Sequence, residues 1–127
     1  MGSDRLLTME LGRVHPLYVA KAERKDRTRD EVDTIIRWMT GYAQADLDAR
    51  VADGTDLATF FTAAPAPNPA CARITGVVCG VRVEELEDPI VRDIRRLDKL
   101  IDELAKGRPM ERILRTDDAP VTERRTR

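Results

Sequence analysis

The sequence predicts an all-α fold, a compact bundle of five or six helices around one long helix near the C-terminus. Three observations carry that expectation. In residues 88–107, DPIVRDIRRLDKLIDELAKG, the apolar Ile90, Ile94, Leu97, Ile101 and Leu104 fall in alternating steps of four and three, with Val91 and Leu100 beside them. At about 100° per residue this set covers roughly half the cylinder, wider than a coiled-coil seam, so the helix should be touched from more than one side. Charged residues make up 35% of the chain and aromatic residues 4%, which suits long solvated helical faces over a core of Ala, Val, Leu and Ile. Helix-start and helix-stop residues also recur along the chain, whereas only one segment reads as a strand.

Taken in order, residues 1–9 read as a ragged lead-in, with room for a short extended piece. From Gly12 to about Arg24, the spacing of Val14, Leu17, Tyr18 and Ala22 suits a helix, with Pro16 tolerable if the helix starts close by. Thr28 and Glu31 form a capping box that opens the next helix, and Gly41 should stop its stripe of Val32, Ile35, Ile36 and Met39. Leu47 and Val51 mark a short third helix ended by Gly54, and Thr55-Asp56 can cap a fourth that buries Leu57, Phe60 and Phe61. The prolines of PAPNP then impose an extended loop.

Residues 74–83, ITGVVCGVRV, fit either helix or strand. β-branched content and two glycines favour a strand, but no second strand is in sight to pair with it. Helix is the expectation on that ground. The long helix follows over residues 89–106, with Asp88 as N-cap, Pro89 at the first position and Gly107 at the stop. A short helix near 109–115 should turn Met110, Ile113 and Leu114 inward, and residues 116–127 are expected to be a disordered tail. The chain thus reads as one helical domain over residues 1–115. A globule of this size should bury about two-thirds of its unfolded surface.

Residues 1–64 carry 9 basic and 11 acidic groups, residues 65–127 carry 13 and 12, and the net charge is −1. Neither half has the basic surplus that nucleic acid or anionic lipid demands, so no nucleic-acid or membrane partner is expected. No signal segment or long apolar run is present, and two cysteines are too few for a disulfide framework; a cytoplasmic protein with free, buried thiols is expected.

The strings HPLYVAKAERK (His15 to Lys25), TRDEVDTIIRWMTGY (Thr28 to Tyr42), ITGVVCGVRVEELEDP (Ile74 to Pro89) and DKLIDELAKG (Asp98 to Gly107) together resemble a bacterial family known as domain of unknown function 2200. The resemblance runs from about Leu7 to Arg115. It implies a small, mainly helical domain and supplies no activity, cofactor or catalytic residue. Asp26 stands where glycine is expected after AERK, although aspartate tolerates the left-handed conformation better than most residues.

Chemistry is sparse. His15 is the only histidine, which excludes a multi-histidine metal site within one chain, and it reads as a helix-start residue before Pro16. Cys71 and Cys79 lack the spacing of a redox or zinc pair, and GVVCGVRV lacks the Gly-Lys-Ser/Thr of a phosphate loop. No catalytic residue, metal site or cofactor is predicted. Residues 32–52 resemble a helix-turn-helix superficially, but Asp46 and Asp48 on its second helix would repel phosphates. Asp93 and Asp98 fall at the edges of the apolar arc and need partners, with Arg96 and Arg95 each three residues away.

The reading is therefore a binding or protein–protein interaction module, with self-association as one form of it. The rival is a small-molecule-binding protein or enzyme whose cleft uses Lys21, Trp38, Tyr42, Arg82 and Asp98. A concave, partly apolar pocket with converging polar groups would favour the rival, and a flat apolar patch the interaction module.

Overall fold

The computed structural model describes residues 2–115. Seven α-helices run along them: α1 (Gly2–Thr8), α2 (Leu11–Glu23), α3 (Arg29–Thr40), α4 (Gln44–Ala52), α5 (Leu57–Thr62), α6 (Pro89–Ala105) and α7 (Met110–Ile113). Between α5 and α6 lie two short 3-10 helices, Pro69–Arg73 and Val83–Glu85, and a minimal antiparallel hairpin, β1 (Val77–Val78) and β2 (Val81–Arg82). The helical bundle stands as expected. The tail expected at residues 116–127 lies outside the described residues.

The long helix is the centre of the core. Asp88 accepts from the amides of Ile90 and Val91 at 2.8 and 3.2 Å, and Pro89 follows at the first helical position. From Ile90 to Ala105 no residue is fully exposed, because α2, α3, α5, α7 and the hairpin all pack around it. Ile94, Leu97, Leu100, Ile101 and Leu104 are completely or almost completely buried. Each such side chain contributes roughly 1.5–3 kcal/mol by leaving water.

Other boundaries follow local chemistry. The Thr28 hydroxyl accepts from the Glu31 amide at 3.1 Å, and the Glu31 carboxylate accepts from the Thr28 amide at 3.0 Å. Gly41 closes α3 at φ 81°, where a Cβ would also come within 2.6 Å of Ala66. Asp26 takes φ 61° and serves as the left-handed stop after α2 despite its side chain.

The structure departs from the sequence reading in three places. Residues 2–8 form a helix, and the chain then pairs with the entry to α5: Leu11 donates to Thr55 O and Leu57 to Met9 O, both at 2.8 Å. That pairing starts α2 at Leu11, which places Pro16 inside the helix rather than at its start. Gly12 lies there against α4, where a Cβ would meet the Val51 carbonyl oxygen at 2.4 Å.

Residues 74–83 are not a helix. The segment is its own partner: Val77 pairs with Arg82 and Val78 with Val81 across a two-residue turn, and Val83 N–H adds a bond to Gly76 O at 2.9 Å. Cys79 and Gly80 turn the corner at φ 52° and 79°, the paired positive values of the hairpin turn whose twist matches that of the strands. The partner strand begins only three residues after Val78, inside the same segment. Cysteine in place of the usual Asn or Gly concealed the turn.

Candidate functional site

Helix α2 and its C-cap residue bring Leu17, Lys21 and Arg24 to one face by steps of four and three, with Tyr18 beside them. Across from it α6 presents Asp98 and Ile101, and the hairpin closes the end with Val78 and Cys79. Together with Ala20 these residues line a cleft of about 290 Å³. Its walls are Leu17, Ala20, Val78 and Ile101.

The floor is a polar cluster. The Tyr18 hydroxyl donates to Asp98 Oδ1 at 2.5 Å, and Arg95 meets Oδ2 of the same carboxylate at 3.0 Å. The Cys79 thiol stands 4.0 Å from that oxygen. Burial, reinforced by the adjacent Asp98 charge, raises the Tyr18 hydroxyl well above its ordinary value, so it remains a donor. At the rim Lys21 reaches Asp102 at 3.4 Å, a carboxylate that Lys106 also engages at 3.1 Å. Burial opposes ionisation of Asp102, but the Lys106 and Lys21 hydrogen bonds outweigh it and lower its pKa.

Of the residues singled out in the sequence, Lys21 and Asp98 meet in this cleft and three lie elsewhere. Tyr42 is in the core, stacked on Phe60 at 4.5 Å between ring centres and donating to the Phe60 carbonyl at 2.7 Å. Trp38 packs half-buried against the core, and its carbonyl accepts from Asn68 at 3.2 Å. Arg82 is exposed on β2, within 3.5 Å of Glu84 and 4.0 Å of Glu85. Asp93 and Asp98 do find Arg96 and Arg95, at 3.3 and 3.0 Å. Cys71 is buried, and burial pushes its thiol up to about 11, whereas Cys79 is exposed, contrary to expectation.

Sequence reasoning missed Tyr18, Arg24, Arg95 and Cys79 as parts of one site. The one available signal was the misplaced carboxylate of Asp98, which demanded a partner without naming it. Missed as well was a second polar cluster. His15 is not a helix-start residue but sits within α2, 4% exposed, its Nε2 donating to Asp33 at 2.6 Å. Asp33 also accepts from Gln44 at 3.0 Å and lies 3.6 Å from Arg29, so the pair ties α2, α3 and α4 together. Among the described residues, no three potential metal ligands converge.

Three other hollows are less suited to a ligand. One of about 310 Å³ beside His15 has its imidazole committed to Asp33 and its Arg29 within 3.6 Å of the same carboxylate, with Glu23 also on its lining, and one of about 100 Å³ beside Cys71 is barely larger than a few waters. The third, about 440 Å³ around Lys99 and Lys106 at the end of α6, is a ring of charges that includes Asp102 and Glu103.

Fold and site together define a small, mainly helical protein with a mixed polar and apolar cleft between its second helix, its hairpin and its central helix. The chain belongs to the family described as "uncharacterized protein conserved in bacteria (DUF2200)", which it matches over residues 5–115. It is similar to the protein in "Crystal structure of uncharacterized protein SP1917", with 38% identity and a TM-score of 0.85 over 91% of this chain and 95% of the other. Comparison with curated proteins finds no match.

Proposed function

We propose that this protein binds a small molecule in the cleft between α2, the hairpin and α6. The observation that carries the reading is the convergence of Tyr18, Asp98 and Cys79 in a hollow with apolar walls, with Arg95 paired to the Asp98 carboxylate. Pockets for small ligands combine apolar lining with a few fixed polar groups in this way. Two free cysteines and the lack, among the described residues, of any helix long and apolar enough to cross a membrane support placement in the cytoplasm.

A fragment screen by two-dimensional NMR on the whole chain tests the reading. Hits should shift the amides of Leu17, Tyr18, Val78 and Cys79, and Ala20→Phe, which fills the cleft from α2, should abolish those shifts while the rest of the spectrum persists. Hits confined to other surfaces, or unaltered by Ala20→Phe, would overturn it. A second reading, an interaction module, draws on Leu17, which is 63% exposed at the lip of the cleft. Light scattering on the wild type and Leu17→Asp tests that one.

A further inference from the structure

The charges around the cleft specify the class of ligand, on the reading that the cleft is a binding site. Two cations, Lys21 and Arg24, and one carboxylate, Asp98, line it. The carboxylate is already answered by the Tyr18 hydroxyl and Arg95. Lys21 has only a share of Asp102, which stands closer to Lys106. Arg24 is exposed and forms no ion pair among the described residues. The C-terminus of α2 offsets part of this charge, but a helix end supplies only about half a negative charge. A positive surplus is left above walls that are apolar.

We infer that the cleft takes a small organic monoanion, a carboxylate carrying a short apolar or single-ring body. The carboxylate meets Arg24 and Lys21 at the rim, while the body lies along Leu17, Val78 and Ile101. Arginine suits the role because its planar fork can hold both carboxylate oxygens. A volume of about 290 Å³ lies at the low end of ligand pockets, which run from roughly 300 to 1,000 Å³, and favours a single ring over a nucleotide.

The test is a titration of the isotope-labelled full chain with benzoate and with its neutral isostere benzamide, at low salt, read from the amide shifts of residues 17–24 and 78–79. Benzoate should bind roughly two- to fivefold more tightly, the span expected for a partly exposed ion pair. Arg24→Gln and Lys21→Gln, both at the exposed rim, should each reduce that preference, and the double variant should remove it while the amide spectrum away from the cleft stays that of the folded wild type. Equal binding of the two compounds in the cleft overturns the charge inference and leaves the cleft reading intact. Cleft hits in the fragment screen without benzoate binding do the same. A cleft silent to benzoate, benzamide and the whole screen overturns both.

Discussion

At the scale of single residues, Tyr18 shows how one buried hydroxyl can serve both packing and a site. Its bond to Asp98 crosses from α2 to α6 and turns a carboxylate at the edge of the apolar face from a liability into a tie. Because burial and the Asp98 charge raise its pKa above the ordinary 10.0, the folded chain keeps the phenol proton where the unfolded chain loses it. The stability that this proton contributes is complete below about pH 10 and is lost as the pH rises beyond it. Tyr18→Phe should therefore cost about 0.5–1.5 kcal/mol at neutral pH, the usual worth of a hydrogen bond. The gap between wild type and variant should then close above pH 10. Urea unfolding at intervals from pH 7 to 11 measures it; Tyr42, also raised by burial, is present in both proteins and cancels. A gap that widens with pH would contradict the assignment.

At the scale of elements, periodicity and caps were enough to place α3 and α6, because both signals come from residues close together in sequence. The half-cylinder stripe of α6 correctly implied contact on more than one side. Periodicity could not place polar partners contributed by other elements. Arg27, on the turn after α2, donates to the carbonyls of Leu104 and Arg108 at the far end of α6. Arg115 grips Glu103 with two bonds, at 2.7 and 3.2 Å, and so fastens the end of α7 to α6. Arg96 looks like an outer residue on a helical wheel, yet its side chain is 17% exposed and turned to Asp93. The hairpin was hidden for a different reason, since its only pairing partner is itself. The central place of α6 gives a plain expectation. Leu97→Ala, at a 1% exposed position, should cost roughly 2–5 kcal/mol, as large-to-small changes in packed cores do. Lys99→Ala, whose amine reaches only the Val77 carbonyl at 3.4 Å, should cost far less. Denaturant titration of the two variants compares them directly, and equal losses would remove α6 from the centre.

At the scale of the whole molecule, charge and exposed apolar surface bear on whether the chain acts alone. Its 22 basic and 23 acidic residues nearly cancel, and many are paired locally, as in Arg50–Asp53 at 3.0 Å and Arg27–Glu31 at 3.0 Å. Like-charge repulsion would therefore do little to keep two copies apart, and apolar surface decides the matter. Among the described residues only Leu17 and Val77 are large, apolar and exposed, at 63% and 51%. A stable interface buries about 800 Å² on each partner and is centred on desolvated apolar anchors. Two side chains fall well short of that. The expected outcome of light scattering at micromolar concentration is the mass of one chain, unchanged in Leu17→Asp. A dimeric mass that Leu17→Asp returns to monomer would instead make the lip of the cleft a contact between copies. It would also reassign the apolar wall from a ligand to a second chain.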